Sequence, residues 1–545
     1  MSYSCSVRLT APPSFRFQAC LGETAAYKGL YRHLCEHFMV KLVAEQIPAT
    51  IKQTPLLILG VFEDDAEDIF TELDRSSPTI VEIVKQVVRE REHSGSFGTS
   101  CIIHSFTGHA HRIMLLGLGP KKSLDKEKVR DLAGKVATKA MEINVREYCI
   151  KPFMQLTKDF AEAICEGTCL SLYKFDQYQS KRVNEKSLGA SPLEVSLLVE
   201  GDRQEWQNVL DTTKAIIDAV NFGRDLANLP PNECSPEYLA RVALELSSKH
   251  ERIATRVIER YEMESLGLNG IVAVGMGSNK PPKLVVVEYQ GNEDSSKTVS
   301  YLFVGKAVTF DTGGISIKPS DRMEEMKFDK SGGCDVIAVM SGLANLGVKA
   351  NVIGIIPCVE NMPSSSAFRP GDIVRMYNGE TVEVINTDAE GRLILADSIA
   401  YGIANYHPKS IIDLATLTGA CIIALGSNIA GALTNNPELL NKLRKASEKT
   451  DEKFWELPLY PQFSEQIKSK FADIKNIGGR PGGTITAATF LSNFVNETPW
   501  IHLDIAGTAW TQEGTWDRSY NPKGATGFGI RSLLRMLLDE FGPRP

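Results

Sequence analysis

Four apolar segments in the second half of the chain constrain its fold most strongly. Each is a nearly continuous hydrophobic run that ends in glycine, proline or a polar group: "SYLFVGK" (300–306), "ANVIGIIP" (350–357), "SIIDLATLTG" (410–419) and "WIHLDIAG" (500–507). Such runs are typical of strands buried on both faces, in a mostly parallel sheet covered by helices. In these sheets a ligand binds beyond the carboxyl ends of the strands, so the polar residues that follow each run are candidates for a site.

The first half of the chain shows a weaker pattern of the same kind. Short apolar runs at 55–62, 112–119 and 193–201 alternate with polar stretches of helical character. A chain of 545 residues is also too long for one ordinary core. We therefore predict two α/β units: a smaller N-terminal α/β domain, and a larger C-terminal α/β catalytic domain with a mostly parallel central sheet covered by helices.

The boundary between the two units is predicted from a long helix followed by a turn. Residues 203–228 have helical apolar spacing, and the next segment, "LPPNECSPEYLA", contains three prolines. Ser235 followed by Pro236 is typical of a new helix start, with a capping side chain and a first-turn proline. The predicted parts are an N-terminal extension at 1–50, the N-terminal domain at 51–202, a connecting helix and turn at 203–234, and the catalytic domain at 235–545.

Composition argues against a general nucleic-acid binder and favours a reducing compartment. The net charge is −7, from 60 basic and 67 acidic residues, so the chain lacks the general basic character of nucleic-acid binders, although a local basic patch stays compatible with it. Eleven cysteines in no regular framework favour a reducing compartment, and we expect a cytoplasmic protein. The longest uncharged run, 414–433, contains polar residues and predicts a buried strand, loop and helix rather than a membrane span.

The segment "NTDAEGRL" (386–393) carries three charges on alternate positions, Asp388, Glu390 and Arg392, directly before an apolar run. In an extended segment these side chains would share one side. A surface strand with a salt bridge is one interpretation. The other is a buried site, in which the charges must meet partners, because burying an unpaired ion costs several kcal/mol.

A second charged segment, 304–333, contains further candidates. In chain order these are Lys306, Asp311, Lys318 and Asp329. Asp311 and Asp329, together with Asp388 and Glu390, make four carboxylates. If the fold brings them to one place, they repel one another unless protons or cations neutralise them. Two divalent metal ions bridged by carboxylates would do so. The chain contains no HExxH zinc motif, no GxSxG motif and no P-loop.

These segments resemble the signature blocks of the leucyl aminopeptidase family (peptidase family M17, cytosol aminopeptidase). "NTDAEGRL", "VGKAVTFDTGGISIKPS", "ENMPSSSAFRPGDIV", "DLATLTGA" and "HLDIAG" occur in the order typical of that family. The resemblance covers roughly residues 215 to 540 and is weak over the first 200. The family usually continues after Asp329 with Met-Gly-Gly-Ala-Ala, whereas this chain continues with Lys330, Ser331, two glycines and Cys334.

The resemblance implies a dinuclear metallo-aminopeptidase, a hydrolase that removes apolar, leucine-like N-terminal residues from small peptides by attack of a metal-activated water. It implies two divalent ions, Zn²⁺ or Mn²⁺ with Mg²⁺ as a further candidate, and a bicarbonate ion. The implied metal ligands are Lys306, Asp311, Asp329, Asp388 and Glu390. Lys318 would act on the substrate carbonyl, Arg392 would bind bicarbonate, and Asp329 and Met326 would contact the substrate. Family members are homohexamers, so a homohexamer is expected here.

Three alternatives remain open at this level. A two-metal phosphoesterase also uses clustered carboxylates, although it needs no lysine ligand and would be expected to have a basic groove. Some members of the resembled family bind DNA as regulators, so a regulatory protein of reduced activity is a second alternative. For Met326 alone, ordinary core packing is an alternative to a place in the substrate pocket.

Overall fold

The computed structural model describes residues 40–46, 54–64, 82, 84–87, 90, 94–104, 110–179, 192–292, 298–521 and 523–543. Except for 40–46, the predicted N-terminal extension at 1–50 lies outside the described residues. Among those that are described, no helix combines the length and the apolar character needed to cross a bilayer.

The N-terminal part is built on a six-stranded sheet. Its strands are β1 (Val40–Gln46), β2 (Leu57–Phe62), β3 (Ser100–His104), β4 (Arg112–Gly119), β5 (Glu147–Ile150) and β6 (Leu193–Val199), in the spatial order β1-β6-β5-β2-β4-β3. All neighbours are parallel except β3 and β4. The helices α1 (Lys126–Glu142) and α2 (Lys158–Ser171) are capped by Asp125 and Thr157, and a 3-10 turn forms Lys121–Ser123. The predicted α/β unit is confirmed.

A 26-residue helix, α3 (Arg203–Asn228), follows this sheet. It begins after Asp202, whose side chain accepts from Gln204 N, and ends at Leu229, directly before two prolines. Helix α4 (Pro236–Lys249) then begins with Ser235, whose hydroxyl accepts from Tyr238 N. The predicted helix and its restart are confirmed, while the domain boundaries stay a prediction.

The C-terminal part contains a nine-stranded sheet and a three-stranded one. The large sheet comprises β7 (Ile253–Glu259), β8 (Lys283–Gln290), β9 (Tyr301–Gly305), β10 (Ala307–Asp311), β11 (Asn351–Asn361), β14 (Ser410–Ala415), β15 (Ala430–Thr434), β16 (Phe454–Glu456) and β18 (Trp500–Asp504). The small sheet comprises β12 (Ile373–Arg375), β13 (Thr381–Glu383) and β17 (Ile474–Lys475). The large sheet has the order β16-β15-β18-β14-β9-β11-β8-β7, with β10 beside β11. Its central strands are parallel, as predicted.

Helices cover both faces of this large sheet. They are α5 (Arg260–Leu266), α6 (Asn269–Gly275), α7 (Ser331–Leu346), α8 (Glu390–Tyr406), α9 (Gly419–Leu425), α10 (Pro437–Thr450), α11 (Gly483–Ser492) and α12 (Ile530–Phe541), with 3-10 segments at Met323–Lys330 and Pro461–Ile467. Alternate residues of β9 therefore pack against different helices. Leu302 and Val304 pack in a cluster with α6 and α8, whereas Tyr301 and Phe303 pack in another with α3 and α7. Burial on both faces explains the unbroken apolar run in the sequence.

Asp397 of α8 joins three elements of the C-terminal part. Its buried carboxylate accepts from Gly270 N at 2.6 Å and Ile271 N at 3.2 Å, at the beginning of α6. Its other oxygen accepts from Tyr377 N at 2.9 Å, in the loop between β12 and β13. Because the first N–H groups of a helix have no partner within the helix, this carboxylate replaces a local cap.

We expect Asp397→Ala to lower the free energy of unfolding by about 3 kcal/mol, because three buried N–H groups lose their acceptor. The urea midpoint of the purified protein measures this loss. Asp539→Ala is the control, since Asp539 is exposed and pairs with Lys449 on the surface, a kind of interaction worth at most about 1 kcal/mol. Equal midpoints for the two variants would contradict the capping role.

Candidate active site

Polar residues at the carboxyl ends of four strands converge on one region. Lys306 directly follows β9, Asp311 is the last residue of β10, Asn361 is the last residue of β11, and Thr416 directly follows β14. All four are buried. The expectation that polar groups after the apolar runs meet at the edge of the sheet is therefore correct.

Two glycines after Asp311 allow the chain to turn back over this edge. Gly313 and Gly314 have φ of 83° and 68°, in the left-handed region that favours glycine. A Cβ at Gly313 would lie 2.9 Å from Asp388 Oδ1, and one at Gly314 would lie 2.7 Å from Asn361 Oδ1. The turn thus needs glycine for its conformation and for space, and it leads the chain to Lys318.

The segment "NTDAEGRL" does not form the extended structure that the sequence suggested. Asp388 lies in a turn, and Glu390 is the first residue of α8, so Arg392 lies in the first turn of that helix. Glu390 therefore faces Lys306, whereas Arg392 donates to Asn476 O at 2.8 Å. The prediction that the three charges share one side was wrong, because a helix start separates side chains that an extended strand would align.

Two lysines pair with the four carboxylates of the cluster. Lys306 Nζ lies 2.8 Å from Asp329 Oδ1 and 2.9 Å from Glu390 Oε1. Lys318 Nζ lies 2.8 Å from Asp311 Oδ2 and also contacts Asp388. The structure thus brings together all six of these predicted site residues.

The carboxylates of the cluster affect one another's pKa. Burial, together with the neighbouring carboxylates, raises the pKa of Asp329 to about 8 and that of Asp388 to about 7, although the nearby lysines act in the opposite direction. Burial acts against ionisation of Glu390 as well, but Lys306 and Lys318 outweigh it and lower the pKa of Glu390. Burial opposes the charges of both lysines, yet the carboxylates raise their pKa values. The two ammonium groups do not stabilise the ionised form of all four carboxylates, so Asp329 and Asp388 ionise less readily than usual, and a bound cation would favour their charged forms.

The donor atoms of the cluster fit a divalent cation. Among the described residues, one carboxylate oxygen from each of Asp311, Asp329 and Glu390 lies within 4.8 Å of the others. Asp329 Oδ2 and Glu390 Oε2 are buried, and within the described part of the chain neither accepts a hydrogen bond. Buried polar atoms normally have partners, and hard divalent cations prefer carboxylate oxygen, so these atoms suit metal ligands. Asp388 joins the group through Lys318.

Two supporting residues were missed in the sequence. Asn361 Nδ2 donates to Asp311 Oδ1 at 2.8 Å and to Thr387 O at 3.1 Å. Thr416 donates its hydroxyl to Asp329 Oδ1 at 2.7 Å, and its carbonyl accepts from Lys306 Nζ at 2.9 Å. Both are polar residues at the carboxyl ends of apolar strands, so the rule that located Lys306 could have found them.

Arg392 and Met326 lie at the margin of the cluster. Burial lowers the pKa of Arg392 to about 10, against the opposing effects of Glu390 and Asp504, and its Nε is buried without an acceptor among the described residues. Met326 is half-buried in the 3-10 segment that also carries Asp329. These positions alone do not assign a role to either side chain.

Behind the cluster, the central sheet carries a buried polar pair. Asp413 of β14 lies opposite His502 of β18, with Oδ1 and Nδ1 2.6 Å apart, and Trp500 Nε1 donates to the other carboxylate oxygen at 2.7 Å. Two residues further on, Asp504 accepts from Leu417 N at 3.2 Å. This carboxylate anchors the loop that begins with Thr416.

Comparison with known proteins agrees with this geometry. The family model for the catalytic domain of the cytosol aminopeptidase family matches residues 221–534, more than half of the chain, and the model for that family's N-terminal domain matches residues 58–182. The chain belongs to the cytosol aminopeptidase family. The family resemblance of the sequence is thereby confirmed, and membership supports aminopeptidase function. It does not favour a phosphoesterase or a DNA-binding regulator.

Individual relatives cover most of this family member. A protein named "Probable cytosol aminopeptidase" from Cenarchaeum symbiosum (strain A) is 45% identical over 78% of this chain and 86% of its own length. One of the same name from Geobacter sp. (strain M21) is 40% identical over 89% of this chain and 96% of its own. The solved structure of "Bottromycin maturation enzyme BotP in complex with Mn" has a TM-score of 0.76 at 31% identity, over 89% of this chain and 99% of that one.

We expect Asp413→Asn to destabilise this cytosol aminopeptidase family member most at acidic pH. Burial opposes the charge of His502, but Asp413 outweighs it and raises the pKa of His502 above its usual 6.5. A pKa raised by folding adds stability that is complete below the unfolded value and is lost as the pH rises through the folded value. The difference in thermal midpoint between wild type and variant should therefore be larger at about pH 6 than at about pH 9.

The matched control is Asp539→Asn, which removes an exposed carboxylate paired with Lys449. Its effect should be small at both pH values, because an exposed ion pair contributes little to stability. A difference for Asp413→Asn that grows with pH would show that His502 is neutral beside Asp413.

Proposed function

We propose that this protein is a dinuclear metallo-aminopeptidase that removes apolar, leucine-like N-terminal residues from small peptides. The observation that carries the proposal is the buried cluster at the carboxyl edge of the large sheet, where one carboxylate oxygen each of Asp329 and Glu390 accepts no hydrogen bond from any residue that the structure describes. We assign this activity to a catalytic domain at 235–545, which follows an N-terminal domain at 51–202 and a connecting segment at 203–234.

The proposed ligands follow from the family resemblance and from the contacts of the cluster. Lys306, Asp311, Asp329, Asp388 and Glu390 would together hold two divalent cations. Zn²⁺ and Mn²⁺ are the first candidates and Mg²⁺ the next, because carboxylate-rich sites accept all three. When bound, the two cations supply a Lewis acid and lower the pKa of the attacking water. Lys306 must lose its proton to serve as a ligand, so cation binding releases a proton.

Lys318 would stabilise the oxyanion that develops on the substrate carbonyl. Its ammonium is half-buried among carboxylates that raise its pKa, so it stays charged. A fixed positive charge at that position is worth more in the transition state than in the bound substrate. Lys318 Nζ also occupies an oxygen of Asp311, so it competes with a cation for the same ligand.

Arg392 would hold a bicarbonate ion, which when bound would supply a general base near the carboxylates. Arginine keeps its charge in proteins, and Nε of Arg392 is a buried donor without an acceptor among the described residues. The carbonyl of Asn476 orients the guanidinium through Nη1 at 2.8 Å. These features support an anion site next to the carboxylates.

The substrate's free amino group would bind close to Asp329, which restricts cleavage to the first residue, and Met326 would contact the first side chain. The names of the relatives support a cytoplasmic location. A homohexamer is proposed from the family resemblance alone.

The first test compares substrates on the metal-loaded protein. Leucine amide should be hydrolysed with added Mn²⁺ or Zn²⁺, whereas N-acetyl-leucine amide should not, because acetylation removes the amine that the site recognises. Exhaustive chelation should abolish turnover, and re-addition of the cation should restore it. Comparable rates on both amides, or turnover of a phosphodiester instead, would refute the proposal.

The second test is Lys318→Ala. We expect it to retain both cations, because it removes a competitor for Asp311 and no ligand, while kcat for leucine amide falls about 10²–10³-fold. Metal content by mass spectrometry and kcat are measured on the same sample. Lys442→Ala, which removes an exposed lysine paired with Glu540, is the control and should keep wild-type kcat. Loss of the cations in Lys318→Ala would show that Lys318 organises the ligands instead.

A further inference from the structure

Lys330, the residue at which this chain departs from the pattern of its family, is completely buried beside Asp329. Its Nζ donates to Ala227 O and to Leu229 O, both at 2.9 Å, and to Lys327 O. A buried lysine is normally paired with a carboxylate. Here the ammonium donates these three hydrogen bonds to backbone carbonyls.

The first two acceptors are carbonyls at the end of α3. The last carbonyls of a helix have no partner within it, and a cation is favoured at this end by the helix dipole. Three carbonyls use all three N–H donors of one ammonium group. A methionine side chain has no N–H group, so at this position it would donate no hydrogen bond to these three carbonyls.

This helix end is itself held by both parts of the molecule. Asn228 donates to Tyr173 OH at 2.9 Å and accepts from Ala525 N at 3.0 Å. Arg224, one turn earlier, donates to Leu170 O at 3.3 Å. Lys330 therefore binds to a fixed point, where the N-terminal part meets the C-terminal one.

On the other side, the segment around Lys330 has no room to move independently of the cluster. Gly333 N donates to Lys306 O at 2.7 Å, and Ser331 donates its hydroxyl to Phe328 O at 2.6 Å. A Cβ at Gly332 would lie 2.1 Å from Leu414 O. A shift of Lys330 is thus passed on to Asp329 and Lys306.

We propose that Lys330 is a positioning residue, which holds the turn carrying Asp329 on the carboxyl end of α3 and thereby sets the place of the Asp329 carboxylate beside Lys306 and Glu390. It contacts neither substrate nor cation. The expected effect on kcat rests on the proposed function. The expected effect on the position of the Asp329 carboxylate rests on the geometry alone.

The test is Lys330→Met, which keeps the length of the side chain and removes the donors. Lys327→Met is the matched control in the same 3-10 segment, since the Lys327 ammonium lies over the Phe328 ring at 5.0 Å while its carbonyl stays available to Lys330. Cation affinities are measured by chelator competition with Mn²⁺ and with Zn²⁺, and hydrogen–deuterium exchange is followed over residues 323–334 without added metal.

In Lys330→Met we expect one of the two cations to bind about 10–100-fold more weakly, the range for loss of a group that orients a ligand. The other cation should bind as in the wild type, and added metal should restore most of kcat. Exchange over 323–334 should rise. Lys327→Met should match the wild type in cation affinity and exchange.

The inference is overturned if Lys330→Met binds both cations as tightly as the wild type with unchanged exchange, or if both cations weaken equally in both variants. If Lys330→Met does not fold, Lys330→Gln, which keeps part of the donor set, must show the same selective loss. Failure of the proposed function is seen separately, as a wild type that binds no cation or does not hydrolyse leucine amide. In that case the exchange comparison alone decides on Lys330.

Discussion

The neutralisation of four carboxylates at one edge of the large sheet is the constraint on which the rest of the site depends. Asp311, Asp329 and the pair Asp388 and Glu390 come from three structural elements, and each carboxylate would be costly to bury alone. Lys306 and Lys318 each pair with two of them. These two lysines do not stabilise the ionised form of all four carboxylates, which makes the site attractive to divalent cations.

The fold brings these charges together by a simple route. Central parallel strands end at the same edge, so the residues that follow β9, β10, β11 and β14 meet without any sequence proximity. Close backbone approach then sets the fine geometry. A side chain at Gly391 would lie 2.6 Å from Lys306 Cε, so glycine lets the helix that begins with Glu390 approach the lysine.

Support from outside the cluster comes from carbonyls and amides rather than from further charges. Asn361 orients Asp311, Thr416 contacts both Asp329 and Lys306, and Asn476 holds Arg392. Neutral partners fix a charged group without changing the net charge of the site. The charged group of Lys330 is likewise held by neutral partners, because it donates to the backbone carbonyls of Ala227 and Leu229.

The sequence by itself determined the two α/β units, the helix at 203–228 and the membership of Lys306, Asp311, Lys318, Asp329, Asp388 and Glu390 in one charged set. Hydrophobic periodicity and motif spacing are local properties, and these features depend on them. Only the tertiary structure decided that Glu390 starts a helix, that Asn361 and Thr416 support the carboxylates, and that Lys330 caps α3. Those facts depend on contacts between segments far apart in the chain, which local pattern does not encode.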